Sequence, residues 1–375
     1  MKNVCIVSVG NCGNQIASLA FDTRQIPSFG INASEKDLEL IRSDIPIYIF
    51  GNRLGCGKDR NIAKSLVKQE VKTLLQNEEF KKIVEPADII FVVSSTGGGT
   101  GSGMTPVLTD IFKRVYKNKR VITIGVLPSL NDSIGSQRNS IEFLTELNEI
   151  NNSYLLYDNN KFADLNVNDM MKQVNEEIVE AISIIRGDYC YNSPYGMIDD
   201  MDMDKIIQVP GMINVSHIYN FNQKTLEKKS LENLILESID SNGSCELDRD
   251  KIVKRLGVIV NISSNLKEYY NNKFDDIKKV IGEPIDVFEH YYELDDDNDK
   301  LNKFIMIMSG LSMPDDRIKL ILLRIKEAEL LLKRKKESSI LTNAIEEIGF
   351  IDDCTDVYDS TEDSGDSLDD ILNKY

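Results

Sequence analysis

Between residues 87 and 116 the chain passes from an apolar run, Ala87-Asp88-Ile89-Ile90-Phe91-Val92-Val93, through Gly97-Gly98-Gly99-Thr100-Gly101-Ser102-Gly103 into a segment, 104–116, patterned as a helix. Five glycines in seven positions at this junction remove the side chains that would hold a polyphosphate away from backbone N–H groups. The positive end of the helix dipole lies at the same place. The stretch is a candidate phosphate cradle. A flexible glycine linker is the competing reading, but linkers do not usually join two strongly patterned elements.

At 375 residues the chain is long enough for two cores, taking roughly 100–200 residues per domain. It lacks the long apolar run of a membrane span, and its start, Met1-Lys2-Asn3-Val4-Cys5-Ile6, enters a strand pattern rather than a signal peptide. A cytoplasmic protein without membrane attachment is expected. The six cysteines include no Cys-x-x-Cys pair, and His217 and His290 are the only histidines, so no zinc set is credible and the thiols should be reduced. A net charge of −17 argues against direct nucleic-acid binding, which needs concentrated Lys and Arg.

Strand patterns at Val4–Val9, Ile45–Phe50, Ala87–Val93, Val121–Leu127 and Tyr154–Tyr157 alternate with helical ones, notably 60–84 and 137–149. That alternation implies a mainly parallel sheet covered on both faces, with ligand loops at the carboxyl ends of its strands. The expected fold class is α/β, with a parallel-sheet nucleotide domain over 1–165 and a central helix over 166–187. A second, α+β domain follows over 188–314, with strands at Ile213–Phe221, Leu256–Ile262, Val287–Leu294 and Phe304–Ser309 and helices near 223–239 and 265–280. Pro314 opens a long helix, 315–347, whose middle carries Lys333-Arg334-Lys335-Lys336. The acidic tail, 348–375, should be disordered.

Two further glycine turns follow strands. One is Gly10-Asn11-Cys12-Gly13-Asn14-Gln15-Ile16; with the 97–103 stretch it could clasp a di- or triphosphate from both sides. The other, Leu54-Gly55-Cys56-Gly57-Lys58-Asp59-Arg60, suggests a Walker loop, yet the spacing from Gly51 is one residue too long and Asp59 occupies the position of the magnesium-binding Ser or Thr. No G-x-G-x-x-G follows the first strand, so a dinucleotide fold is also disfavoured.

Taken together these motifs resemble the tubulin/FtsZ superfamily. The 10–16 turn looks like the first nucleotide loop of tubulins, Gly30-Ile31-Asn32-Ala33-Ser34 and Leu54-Gly55-Cys56-Gly57 are similar to the second and third loops of FtsZ-type proteins, and 97–103 matches the family's Gly-Gly-Gly-Thr-Gly-Ser/Thr-Gly. The divergent remainder and the long terminal helix look most like the TubZ branch, the plasmid- and phage-encoded partition GTPases. The resemblance implies a tubulin/FtsZ-like fold that binds GTP or GDP with Mg2+. It implies a filament of identical subunits and a DNA-binding adaptor as partner.

Carried over residue by residue, the resemblance puts Gly10, Asn11, Gly13, Asn14, Asn32, Ala33, Gly55, Gly57, Gly97, Gly98, Gly99, Thr100, Gly101 and Ser102 around the nucleotide. Cys12 would touch the base, Gln15 would sit near the magnesium and phosphates, and Asp132 and Arg138 fall in the ribose loop. Asn159, within Asp158-Asn159-Asn160-Lys161-Phe162, is the implied guanine reader, since a carboxamide offers the donor and acceptor that guanine's edge requires. A second reader is Asn168 or Asp169; Asn168 could equally be a helix cap. The acids that activate water in the neighbouring subunit map to Asp199 and Asp202, or to Asp200 and Asp204 in a shifted register. An acidic helix start favoured by the dipole is the alternative. Other readings of the whole chain are an FtsZ-like division GTPase and a non-polymerising nucleotide-dependent enzyme.

Overall fold

The computed structural model describes residues 1–37, 41–194, 196–247, 252–270, 273–294 and 301–337. The first half runs β1 (Val4–Val9), α1 (Gly10–Arg24), β2 (Ser28–Asn32), β3 (Ile47–Ile49), α2 (Arg60–Gln76), α3 (Glu78–Val84), β4 (Ile89–Ser95), α4 (Thr100–Val115), β5 (Arg120–Leu127), α5 (Ile134–Glu149), β6 (Ser153–Asp158) and α6 (Val167–Arg186). The second runs α7 (Asp200–Ile207), β7 (Gly211–Tyr219), α8 (Gln223–Lys228), α9 (Leu231–Ser241), β8 (Arg255–Ser263), α10 (Lys273–Ile281), β9 (Asp286–Leu294), β10 (Lys303–Leu311) and α11 (Asp315–Glu337).

β1 and β4 are rich in Val and Ile, and with β2, β5 and β6 they are buried almost throughout, as parallel strands under helices on both faces must be. They pair in parallel in the order β3-β2-β1-β4-β5-β6. The strands of the second half do not form a sheet of their own. β7 joins the edge of β6 through Ser153↔Gly211 and Tyr154↔Met212, and β10, β8 and β9 extend the same ten-stranded sheet. The α/β class stands, with both halves sharing one sheet.

The helix α6 crosses this sheet and shares its core with both halves. Its apolar stripe, Val174, Ile178, Ala181, Ile182 and Ile185, is buried with Ile16 and Ala20 of α1 on one side and Ile206, Val215 and Ile305 of the second half on the other. Asn166 caps its start and Gly187, at φ +94°, ends it. Midway, Glu180 binds Arg24 of α1 at 2.5 Å, accepts from Tyr189 Oη at 2.5 Å and accepts from Tyr219 Oη of β7. Burial works to raise its carboxyl pKa, but the two phenols and the Arg24 charge outweigh burial and hold it below the usual carboxylate range. α1 packs closely as well: a Cβ at Gly13 would lie 2.2 Å from the carbonyl oxygen of Val93 in β4.

Several elements differ from the sequence pattern. The 60–84 helix breaks at Asn77, whose side chain caps α3, and the 223–239 stretch breaks where Ser230 caps α9. β2 lies in a stretch read as a loop. The fourth helix begins at Thr100, not 104, so part of the glycine run is its first turn. Pro314 precedes α11, accepting from Ile318 N at 3.0 Å. Residues 338–347 of the expected long helix and the acidic tail lie outside the described residues.

Because the native state lowers the Glu180 pKa, its stabilising contribution is full above the unfolded value of about 4.3 and is lost as pH falls through the folded one. Glu180→Gln is expected to lower Tm at pH 7, with the deficit shrinking towards zero on acidification below pH ~4; thermal melts across that range check it.

Candidate functional site

The sheet's carboxyl edge gathers two helix starts that lack side-chain caps. β1 passes directly into α1, whose cap residue is Val9, and α4 follows Gly99; neither start has a side-chain cap bond. Elsewhere caps are supplied by Asp59, Asn77, Ser133, Asn166, Asp199, Asn222 and Ser230. The first N–H groups of α1 and α4 are thus left to a ligand or water. The two starts abut: Gly10 has φ +72°, and a Cβ on it would lie 3.3 Å from Gly101 N and 3.8 Å from Thr100 Cβ. Two helix dipoles and two sets of unclaimed donors converge on one spot, an arrangement suited to a chain of phosphates.

Neighbouring side chains hold the cradle in shape. Asn139 Nδ2 of α5 reaches the carbonyls of Lys58, Gly97 and Gly98 at 3.0, 3.3 and 3.1 Å. The buried guanidinium of Arg60 binds Ser102 O, Glu142 and Glu146 within 2.9 Å, and Ser102 Oγ donates to Gly98 O. Asp59 caps α2 through Asn61 N at 2.8 Å, while Lys58 Nζ donates to Ser133 Oγ at 3.1 Å. The Walker-like segment is therefore occupied with local structure. Gly55 N donates to Ala33 O at 2.8 Å, joining the second and third loops, and Asn32 Oδ1 accepts from Ala33 N and Ser34 N.

On the α1 side, Asn14 Oδ1 accepts from Ser8 Oγ at 2.8 Å, whereas its buried Nδ2 has no partner among the described residues. Gln15 Nε2 donates to Asn11 Oδ1 at 3.4 Å. Burial pushes the Cys12 thiol up to about 12, so it stays neutral at physiological pH.

At the far end of the edge, Asp158 caps the 3-10 turn Asn159–Phe162, and Asn160 Oδ1 accepts from Leu130 N at 3.1 Å. This joins the turn bearing Asn159 to the loop after β5. In that loop Asp132 accepts from Ser129 N at 3.0 Å, and Arg138 on α5 pairs with Glu329 of α11 at 2.7 Å. Asn168 does not cap α6; Asn166 does, accepting from Asp169 N at 3.0 Å, because the helix begins two residues earlier than that role requires. Asn168 is exposed in the first turn, and Asp169 accepts from Asn166 Nδ2.

The four acids lie elsewhere. α6 carries the chain about 30 Å, at 1.5 Å per residue, to the amino ends of the strands, where Lys2 N donates to Arg186 O at 2.9 Å. There Asp199 caps α7 through Asp202 N at 2.8 Å, Asp200 lies 3.4 Å from the Met1 amino group and Asp204 lies 2.8 Å from Lys2 Nζ. Among the described residues, the Asp202 side chain, on the first turn of α7, pairs only with an exposed Lys205 at 3.3 Å. Within one chain the acids and the cradle stand at opposite ends of the sheet.

Residues 3–167, which hold every cradle loop, match the Tubulin/FtsZ family, GTPase domain. The chain carries a tubulin/FtsZ GTPase domain. It is 27% identical over 247 residues to the tubulin-like protein CetZ of Pyrococcus horikoshii, covering 64% of this chain and 66% of that one. It is also 27% identical over 216 residues to the tubulin-like protein TubZ of Clostridium botulinum C phage, covering 56% of each. The chain thus spans at most about two thirds of these relatives' length. Beyond the GTPase domain the fold likeness continues: a GTPγS-form protofilament of Bacillus thuringiensis serovar israelensis TubZ superposes with a TM-score of 0.74 at 17% identity, covering 90% of this chain and 95% of that one.

Arg60 and Asn139 within the matched tubulin/FtsZ domain, and Arg317 on α11 outside it, are site-shaping residues that the motifs did not reveal. Arg60 stood inside a quoted loop without any sign of its burial. Arg317 carried a signal: it falls on the inward stripe of α11 with Ile321 and Ile325, four residues apart. Asn139→Ala removes a shared donor from three cradle carbonyls, so amide exchange at 97–103 is expected to accelerate while β7–β10 stays protected, as hydrogen-exchange mass spectrometry would report.

Proposed function

We propose that the protein binds and hydrolyses GTP and assembles head to tail, one subunit's α7 acids completing the next subunit's phosphate site. The observation that carries this reading is the meeting of the two uncapped helix starts at Gly10 and Gly101 inside a tubulin/FtsZ GTPase domain. Asn11, Gln15, Thr100 and Ser102 surround that point, and Asn159 with Asn168 is the base-reading pair. Among the described residues no cluster of three or more His, Cys, Asp or Glu side chains could hold a metal. Mg2+ would accordingly draw its oxygens from phosphates and water, with the Gln15 carboxamide beside them.

Self-assembly is supported by the separation of acids and cradle in the monomer and by the protofilament of the Bacillus thuringiensis relative. Of the acids, Asp202 fits the catalytic role best. Asp199 is committed as a cap, and Asp200 and Asp204 are paired with the chain's amino end. We read the filament as the moving part of a plasmid or phage partition system in the cytoplasm, coupled to DNA through a basic adaptor. The phage TubZ relative and the net charge of −17 support that role. No described helix is long and apolar enough to cross a membrane.

Sedimentation with GTP, GDP and ATP in parallel tests the reading: pelleting is expected with GTP alone, and equal pelleting with ATP would contradict it. Thr100→Ala is expected to cut turnover by about tenfold or more through loss of a hydrogen bond to charge, with little change in Tm. Asp202→Ala should bind GTP normally, hydrolyse it slowly and form persistent filaments. Loss of GTP binding by the Asp202→Ala monomer would remove Asp202 from the trans role. Asp199→Ala is a poorer probe because losing the cap alone costs about 0.5–2 kcal/mol.

A further inference from the structure

We propose that Arg317, at the start of α11, is a positioning residue for recognition of the nucleobase, so that the C-terminal helix sets the nucleotide preference of a domain it lies outside. The proposal rests on the GTP reading above. Arg317 and Asp158 are both at least nine-tenths buried. Arg317 Nε donates to Asp158 Oδ2 at 2.5 Å, and Nη2 donates to Asp158 Oδ1 at 3.0 Å and to Pro128 O at 2.7 Å. One guanidinium thus grips both loops that flank the expected base position, the turn after β6 and the loop after β5.

The geometry downstream is specific. The same Asp158 Oδ1 accepts from Asn160 N at 2.9 Å, closing the turn on which Asn159 sits, and Asn160 returns to Leu130 N at 3.1 Å. Arg317, Asp158, Asn160 and Leu130 form a closed ring of bonds with Pro128, so the orientation of Asn159 depends on a fork from α11. A buried ion pair adds little net stability over an apolar pair of the same shape. What a bidentate fork supplies is direction, which a carboxamide needs to present donor and acceptor to the right atoms of a base. α11 also pairs with the ribose-side loop region through Glu329 and Arg138.

The test measures binding of GTP and ATP to the full chain as wild type, Arg317→Met and the double variant Asp158→Asn/Arg317→Met. Arg317→Met alone strands a buried carboxylate and should lower Tm. The double variant leaves neither charge alone, and Asn still caps the turn, so its Tm should recover. In both variants GTP affinity is expected to fall by about tenfold or more while ATP affinity barely moves, so the preference for GTP collapses. The proposal is overturned if the GTP-to-ATP preference survives in Arg317→Met, or returns in the double variant together with Tm, since either result reduces Arg317 to charge compensation. Where the single variant does not fold, the double variant decides alone. A wild type without preference for GTP would instead overturn the GTP reading itself, and that outcome is visible before any variant is made.

Discussion

The molecule depends on the burial of α6 between two groups of elements that share a single sheet. β6 and β7 are joined by two residue pairs, so that junction alone gives the sheet little cohesion. The helix supplies it, with one stripe packed against α1 and the strands of both halves and a carboxylate, Glu180, tied at once to Arg24 and to Tyr219. A helix of twenty residues, packed along one face, is also a stiff spacer. It fixes how far the turn bearing Asn159, just before its start, stands from the acids beyond its end, and it makes that separation insensitive to the loops on either side.

At the carboxyl edge the glycines do two jobs that sequence alone runs together. Some are needed because backbone meets backbone: Gly10 and Gly101 touch so that two helices can start side by side. The result of that packing is the absence of caps, and the unclaimed N–H groups are what a polyphosphate would use. The Lys58-Asp59 segment, which imitates a Walker loop, is instead a helix cap and a tether to Ser133 and Ser136. The chemistry of the edge is carried by main chain, with Arg60 and Asn139 as its braces.

Much of this was legible before any coordinates. The five strand runs of the first half all fall on observed strands, and the glycine motifs are local in sequence, so their order and spacing survive translation into structure. Legibility failed where long-range contacts decide. Ser28–Asn32 lies between Pro27 and polar residues and becomes a strand only because β1 pairs with it. The union of the two halves in one sheet depends on a register between residues almost sixty apart, which no periodicity encodes. Asn77 and Ser230 ended helices that were apolar enough to continue, because a local side-chain bond outcompeted propensity. The acids at 199–204 were assigned through the family resemblance, but their distance from the cradle needed the direction of α6. The spacing puts Arg317 on the inward stripe of α11, but its partner, Asp158, lies 159 residues away and no local pattern points to it.

The contact beneath Gly13 has a consequence for how the domain can vary. Most crowded positions can be relieved by trimming the neighbour that obstructs them. Here the obstacle is the carbonyl oxygen of Val93, an atom that every residue type possesses, so no exchange at 93 would make room. A suppressor of a larger residue at 13 would have to come from somewhere that lets all of α1 slide off β4, and α1 is clamped on its other side by α6. In a genetic screen this site should yield no second-site revertants, only restoration of the glycine.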